Sequence, residues 1–481
     1  AHNWLRNNSL PIGLYDWQHQ LESLVIDDPV NLQRLPWLRS KTLEQVKLRA
    51  DGFSIEGIKA LSRCSSLTDL TLDLTGSQVV ELPDLASLDQ LTHLTLVLGG
   101  SEVRKLPDFG HLAQLTHLTL DLHDTEAPAI RSLMGGRELP DLAPLTQLTQ
   151  LTHLTLLGVR EFPNLAPLDQ LTHLTLAPPT FVVSEGEDPQ EFPDLPFLNQ
   201  LAHLSIHFPR TEGYKLADLG HLTKLTHLTL WNTPDPPDFS SLGQLTNLDI
   251  SSTGESPDLT PLGQLTHLIW NIREPPDLTN LDHLTHLNLQ SGRLFLTMHK
   301  VPKLTHLDQL THLTLSRVYQ LPDLSSLDHL SHVELDPSWQ KVREQPDLSY
   351  PDQLTHLTLA LHSSKVVDFS DISSLEQLTH LTLNLGSSEV VAIPELPSLE
   401  QLTHLTLNLG NSEVVEIPEL AALAQLTHLT LDLRNSPVPE VPVLSSLLQL
   451  QSMSVAIDSE LRNSMGTIPP NLRHLRFGGL D

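Results

Sequence analysis

Apolar and polar residues alternate along almost the whole chain in one hexapeptide, Leu-Thr-His-Leu-Thr-Leu, which recurs about every 20 or 24 residues. Copies of this hexapeptide begin at Leu91, Leu115, Leu151, Leu171, Leu225, Leu310, Leu354, Leu378, Leu402 and Leu426. Alternation with period two is typical of a strand with one buried face. In the copy at 402–409 we therefore expect the leucines to point into a core and His404, Thr406 and Asn408 to point outward.

Altered copies of the hexapeptide fill the gaps, so the repeat is nearly continuous. A unit of this length cannot bury its own apolar face, and neighbouring units must stack to make a core. The pattern predicts an N-terminal cap or junction at residues 1–20, followed by one solenoid of about 20 repeats over residues 21–481. Longer spacings predict insertions near 123–138, 177–191 and 290–303. Such insertions go to loops on one face of a solenoid, which is often a binding face, unless they are neutral changes in a tolerant loop.

Between the strands runs a return segment of the form Pro-Asp-Leu-x-x-Leu, as at 322–327. Proline followed by a side-chain acceptor favours the start of a short helical turn, with the acidic residue near its N-cap. We therefore expect short helical turns on the side of the solenoid opposite the strands.

The run Leu-x-x-Leu-x-Leu, followed by a return segment with Leu-x-x-Leu, resembles the leucine-rich repeat, and Pro322-Asp-Leu-Ser-Ser-Leu327 is most similar to its short, internalin-like bacterial class. The resemblance implies a curved parallel β-sheet on the concave face, with short helical turns and loops on the convex face. The family usually places Asn or Cys after the strand, where it forms an internal hydrogen-bond ladder. This chain mostly has Gly, Ser, Thr or Pro there, so backbone pairing or water must satisfy those buried groups.

The near-identical repeats also resemble the arrays attached to NACHT-type signalling ATPases of cyanobacteria. That resemblance implies the ligand-sensing region of an intracellular receptor, although the chain contains no residue of the ATPase itself.

Composition narrows the class of partner. The chain has 28 Lys and Arg against 58 Asp and Glu, a net charge of -30, which disfavours binding to nucleic acid. No apolar stretch is long enough to span a membrane. The lone cysteine, Cys64, fits a small buried residue in a reducing compartment, which favours a cytoplasmic location. Because the chain begins at Ala1 rather than Met, a missing leader or upstream domain, and hence secretion, stay open.

One column of histidines occupies the same place in successive repeats, and we expect it to be exposed on the sheet. Its members are His93, His117, His153, His173, His203, His227, His267, His286, His312, His332, His356, His380, His404, His428 and His474. A flat ladder offers two ligands at a time, whereas a metal site needs three or four converging ones, so we expect no metal. The alternatives are a neutral covering layer and a pH-sensitive surface. Repulsion between neighbouring charged imidazoles predicts lowered pKa values and reduced stability in mild acid.

Another outward position varies from repeat to repeat, as a ligand-binding surface on a constant frame would. The aromatic and amide residues between Leu225 and Leu289 are the candidate ligand-binding site, with packing against a neighbouring loop as the alternative role for the tryptophans. The candidate residues are Trp231, Asn247, Trp270 and Asn271, together with His227 and His267.

The sequence contains no phosphate loop, nucleophile elbow, zinc-protease helix or Cys-x-x-Cys pair. We therefore expect no enzyme and no cofactor. The predicted function is a protein-recognition module that binds a macromolecule on the concave face and inserted loops. The alternative is a structural solenoid that self-assembles end to end into filaments.

Overall fold

The computed structural model contains two compact units, Ala1–Leu245 and Thr246–Asp481, called unit 1 and unit 2 below. The structure describes residues 22–26, 42–49, 61, 64–82, 84–123, 140–159, 161–179, 190–191, 195, 198–209, 214–216, 218–233, 237–252, 256–272, 274–290, 301–318, 322–336, 350–362, 372, 374–396, 398–458, 461 and 468–478.

Unit 1 contains a parallel sheet in which almost every strand is the centre of one repeat. The strands are β1 (Ser23–Ile26), β2 (Gln45–Arg49), β3 (Asp69–Asp73), β4 (His93–Val97), β5 (His117–Asp121), β6 (His153–Leu157), β7 (His173–Ala177), β8 (Gln190–Glu191), β9 (His203–His207), β10 (Tyr214–Lys215) and β11 (His227–Thr233). Strands β1 to β7, β9 and β11 pair in chain order, and β8 pairs with β10 in a separate two-stranded sheet.

Unit 2 repeats the same design. Its strands are β12 (Asn247–Ser252), β13 (His267–Asn271), β14 (His286–Gln290), β15 (His312–Ser316), β16 (His332–Asp336), β17 (His356–Ala360), β18 (His380–Asn384), β19 (His404–Asn408), β20 (His428–Asp432), β21 (Ser452–Ala456) and β22 (His474–Gly478). These strands pair in parallel and in chain order. The predicted parallel β-solenoid is confirmed.

The core consists of leucines stacked on leucines. In unit 1, Leu118 of β5 pairs in register with Leu94 of β4 and Leu154 of β6, and each is at most 2% exposed. Successive strand residues alternate between half-buried and buried, as the hexapeptide predicts. A shift by one residue would bring the histidines and threonines into the core, so the leucines hold the register of every strand.

The return segments are hydrogen-bonded turns with a period of three residues. Leu88 N donates to Leu85 O and Leu91 N donates to Leu88 O, so these three leucines share one inward face and are buried. The Asp that precedes these leucines caps the first turn. Asp84 Oδ1, for example, accepts a hydrogen bond from Ala86 N at 2.9 Å.

The expected helical turn is not shown in most return segments. Among the described residues, 3-10 geometry occurs at Ala143–Gln147 and Leu420–Ala422, and also at Leu61 and Leu461. The leucine spacing of three residues matches a tight turn rather than the 3.6-residue period of an α-helix. No 3-10 turn in the described ranges has the length and apolar character that a membrane crossing needs.

Backbone pairing replaces the internal side-chain ladder that the family pattern would place after the strand. Leu409 N, one residue past the end of β19, donates to Asp432 O of the next repeat at 2.7 Å. The chain then turns through a left-handed residue, Asn411, at φ 58°. The buried Ser412 that follows donates its hydroxyl to Leu409 O at 2.7 Å. At this corner, as predicted, backbone pairing satisfies the buried polar groups that follow the strand, and the Ser412 hydroxyl supplies one further hydrogen bond.

Several predicted features lie outside the described residues. These are the cap at residues 1–20 and nearly all of the insertions near 123–138, 177–191 and 290–303. Of these insertions, Glu191 and its neighbour at 190 form the short strand β8. The domain boundaries stay predictions.

The turn cap gives a first test of the fold. Asn164 occupies the capping position where most repeats have Asp, and its Oδ1 accepts from Ala166 N at 3.0 Å. We expect Asn164→Ala to lower the free energy of unfolding by about 0.5–1.5 kcal/mol, since one turn loses its acceptor. Asn164→Asp keeps the acceptor and should stay close to the parent in urea titration. Equal losses in the two variants would contradict the capping role.

Candidate functional site

The histidines form continuous stacks on the outward face, which is the face of each sheet opposite the leucines. In unit 1 six rings stack from His93 to His227, with centroids 3.9–4.1 Å apart. In unit 2 eight rings stack from His267 to His428, at 3.9–4.2 Å. These distances are shorter than the usual spacing of strands, about 4.8 Å, so the rings lean onto one another. The histidines thus lie side by side, as the register predicts, but most of their side chains are half-buried.

A threonine before each histidine ties the ring to the sheet. Thr172 Oγ1 lies 2.9 Å from His173 Nδ1 and 3.1 Å from Thr152 O of the preceding repeat. The same carbonyl accepts the backbone N–H groups of Thr172 and His173. At β9 the threonine is replaced by Ala202, and His203 Nδ1 is buried with no hydrogen-bond partner among the described residues. The Nδ1 side of each ring therefore faces the sheet.

Loss of contact with water lowers the pKa of these imidazoles, and the charges of neighbouring histidines lower it further in most of them. The pKa falls to about 4 for His153, His203 and His356. It is also lowered for His117, His173, His286, His312, His332, His380 and His404. The direction agrees with the prediction, but the largest cause is burial rather than mutual repulsion.

The stacked arrangement does not converge on a metal. Among the described residues, no group of three or more His, Cys, Asp or Glu side chains is placed to hold a metal ion. Parallel rings present their nitrogens side by side, whereas a tetrahedral site needs ligands that point at one centre.

The last outward position of each strand, which varies along the chain, has two different uses. At several strands where it is Asp or Asn, the side chain accepts a hydrogen bond from the backbone: Asp73 Oδ1 accepts from Thr75 N at 3.0 Å, and Asp121 Oδ1 accepts from His123 N at 2.8 Å. Asn384, Asn408 and Asp432 make the same contact to the residue two positions later. Some of the sequence variation at this position, which we interpreted as ligand-binding, therefore serves to form the turn that follows the strand.

At the same position in unit 1, two rings form an aromatic pair. Trp231 of β11 stacks on His207 of β9 with centroids 5.0 Å apart, and Trp231 is 41% exposed. Ser205 Oγ lies 3.0 Å from His207 Nε2, and burial lowers the pKa of His207. The predicted outward position of Trp231 is confirmed. From the sequence, we did not identify His207 as the partner of Trp231. It could have been identified, because His207 occupies the position equivalent to Trp231 one repeat earlier.

Trp270 does not have the predicted role. It is fully buried, and in register it lies between Ile250 and Leu289 of the neighbouring strands. Its indole N–H donates to Glu274 O at 2.8 Å. In His267-Leu-Ile-Trp-Asn271 the tryptophan replaces the last leucine of the hexapeptide, so it faces the core. The outward aliphatic residue of this strand is Ile269, which is 38% exposed.

The remaining candidate residues are divided between the units. His227 ends the stack of unit 1, and His267 begins that of unit 2. Asn247 pairs with His267 in register and accepts a hydrogen bond from Thr246 Oγ1. Asn271 Oδ1 is buried and has no partner in the described part of the chain. Whether these residues bind a ligand stays a prediction.

The Trp231–His207 pair lies on a surface whose outward positions contain no Asp, Glu, Lys or Arg. We call the outward positions of β6, β7, β9 and β11 the neutral patch. They are His153, Thr155, Leu157, His173, Thr175, Ala177, His203, Ser205, His207, His227, Thr229 and Trp231, of which Ala177 is buried. The outward positions of β2 and β3, by contrast, include Lys47, Arg49, Asp69 and Asp73. Strands β13 to β15 and β17 to β19 also lack Asp, Glu, Lys and Arg at their outward positions, so the exposed Trp231–His207 pair is what distinguishes the patch.

The two tryptophans should separate packing from surface effects. We expect Trp270→Ala to lower the free energy of unfolding by about 3–5 kcal/mol, because it leaves a cavity in the core. Trp231→Ala should cost much less, since its side chain is partly solvated. Urea unfolding of both variants measures the difference. Equal losses would contradict the opposite orientations of the two side chains.

The histidine stacks should make stability fall in mild acid. Their folded-state pKa values lie below the ordinary 6.5, so the unfolded chain binds more protons, and the free energy of unfolding decreases as pH falls from about 6.5 towards 4. The capping aspartates act at a lower pH. Hydrogen bonds from Ser325 lower the pKa of Asp323 below 3.8, so the stability that this carboxylate contributes is lost only below the pH range of the histidine effect. Thermal melts from pH 7 to pH 4.5 measure the effect. A constant or rising melting temperature would contradict it.

Comparison with known proteins finds similarity to solved structures alone. No protein-family model and no curated protein matches it. Among solved structures, it is similar to the functional domain of InlJ from Listeria monocytogenes (18% identity, 88% of this chain and 70% of that one, TM-score 0.36). It is also similar to a leucine-rich-repeat protein of Leptospira interrogans (16%, 95% and 96%, TM-score 0.36).

A third similar structure is the ectodomain of the plant membrane receptor kinase GASSHO1/SCHENGEN3 from Arabidopsis thaliana, in complex with CASPARIAN STRIP INTEGRITY FACTOR 2 (17% identity, 95% of this chain and 71% of that one, TM-score 0.41). The chain's own repeat resembles the leucine-rich repeat in its leucine spacing, its parallel strands and its turn-built return segments. With this repeat folded as a parallel solenoid, the chain has the fold that is typical of leucine-rich repeats.

Proposed function

We propose that this protein is a recognition module that binds a macromolecular ligand on the outward face of its sheet, with the neutral patch as the centre of the interface and Trp231 as its anchor. The exposed Trp231 indole, stacked on His207 within a stretch that lacks Asp, Glu, Lys and Arg, is the observation that carries this proposal. Charged residues are depleted and aromatic residues enriched at the centre of protein–protein interfaces. Other stretches of the outward face also lack charge, but they do not present such an aromatic pair among the described residues.

The scaffold supports this role because it holds the patch rigidly. The buried leucines and the parallel backbone ladder hold each outward side chain at a defined height on the sheet. The imidazoles are further held by stacking on one another. A preorganised surface loses little conformational entropy when a ligand binds, so more of the contact energy becomes affinity.

The Ser205–His207 contact resembles the start of a nucleophile–base pair, but we interpret it as positioning. Thr175 and Thr229 place hydroxyls beside Ser205 on both neighbouring strands, so this hydroxyl belongs to a column that recurs along the sheet. A catalytic site is a unique constellation with a third group that orients the base. The contact instead supports the His207 ring beneath the Trp231 indole.

Two more specific predictions about the function of this protein remain predictions. One is the sensor role in a NACHT-type receptor, which rests on resemblance alone. The other is end-to-end assembly into filaments.

The anchor role can be tested with the full chain and a purified partner obtained by affinity capture. We expect Trp231→Ala to weaken binding by about 1–3 kcal/mol, since an anchor loses its desolvated contact area. Val97→Ala is the matched control, because Val97 occupies the same outward position on β4, outside the patch. Isothermal titration measures both. Unchanged affinity in Trp231→Ala would remove the patch from consideration.

A further inference from the structure

The position of the imidazole proton can be inferred from two repeats in which histidine is replaced. Asp69 lies beside His93 in register, and Asn247 lies beside His267. Thr68 Oγ1 lies 2.7 Å from Asp69 Oδ2, and Thr246 Oγ1 lies 2.9 Å from Asn247 Oδ1. An ionised carboxylate and an amide oxygen only accept hydrogen bonds. At this position of the repeat, therefore, the threonine hydroxyl is the donor.

The same hydroxyl in the histidine repeats then donates to Nδ1. Thr172 Oγ1 is 2.9 Å from His173 Nδ1, and the competing carbonyl, Thr152 O, already accepts two backbone N–H groups. A neutral imidazole whose Nδ1 accepts carries its proton on Nε2. Because Nδ1 faces the sheet, the Nε2–H groups face outward. His153 and His173 of the neutral patch thus present neighbouring Nε2–H donors on rings whose centroids are 3.9 Å apart.

We propose that the neutral patch binds an extended polypeptide segment that carries carboxylates, whose oxygens accept from the Nε2–H groups of His153 and His173 while an apolar side chain packs on Trp231. This inference rests on the proposed function, since it names the chemistry of the ligand for the same patch. It assigns the histidine stack a role as a row of donors.

The charges of the patch favour this ligand over others. Carboxylates accept stronger hydrogen bonds than neutral carbonyls, and no carboxylate of the patch itself competes for the donors. A nucleic acid would also offer anionic acceptors. However, it carries a charge on every nucleotide and would meet the full repulsion of a chain with net charge -30. A peptide with a few carboxylates meets less repulsion and also supplies an apolar group for the indole.

Binding should be linked to proton uptake. A bound carboxylate favours the charged imidazole, and so opposes the burial that lowers the pKa of His153 and His173. The titratable and charged groups near the patch are its own imidazoles and, on the β5 side, His117, Asp121 and His123. Peptide glutamates stay ionised above a pH of about 4.3. Affinity should therefore rise as pH falls from 7.5 to 5.5.

The test uses the full chain and an array of synthetic extended peptides, each made in matched Glu, Gln and Lys versions. We expect the bound set to consist of Glu versions that bind at least about fivefold more tightly than their Gln counterparts, with tighter binding at pH 5.5 than at pH 7.5. His153→Asn and His173→Asn should remove this preference. Asn already occupies the same position at Asn247, so the fold tolerates it. His93→Asn, in the same column on β4, is the matched control.

Several results would overturn the inference: no binding by any version, equal binding of Glu and Gln versions, preference for Lys, or tighter binding of a labelled oligo-dT. Imidazole ¹⁵N spectra that place the proton on Nδ1 would also overturn it. If the array shows no Glu preference while Trp231→Ala still weakens a captured partner, the ligand class is wrong and the proposed function stands. If Trp231→Ala leaves a captured partner bound at full affinity, the proposed function fails as well.

Discussion

No repeat of this chain can bury its own leucines, and the rest of the structure depends on that constraint. A five-residue strand and a turn-built return segment offer inward leucines on both sides of a thin unit, but only a neighbouring unit can cover them. Stacking in register brings each leucine onto its equivalent, as Leu94, Leu118 and Leu154 show. The strands must then be parallel, because every unit travels the same way around the core.

The same stacking determines the outward face. When the leucines are in register, every other residue also lies beside its equivalent, so one histidine per repeat becomes a continuous stack of rings. Each ring shields its neighbours from water, which makes protonation unfavourable. The threonine hydroxyls orient the rings, and Asp69 and Asn247 show in which direction those hydroxyls donate. A repeated covering layer thereby becomes an ordered set of donors.

Function depends on the places where the repeat is broken. The uniform columns stabilise the solenoid, while the stacked pair of Trp231 and His207 gives one region of unit 1 its own chemistry. Outward variation alone is a poor guide to such a region, because Asp73, Asp121 and Asp432 vary in order to complete a turn. A surface that recognises a ligand is better identified by side chains that the backbone does not need.

Periodicity was enough to predict the solenoid, the parallel strands, the inward leucines and the outward histidine column, because identical units pack identically. Strict alignment to the hexapeptide also places Trp270 toward the core. The folded chain was needed to show that the return segments are capped turns, that Ser412 and backbone amides complete the corner, and that His207 supports Trp231. These features depend on distances between atoms in different repeats, which local pattern does not contain, because the side chains compete for partners only after the units have stacked.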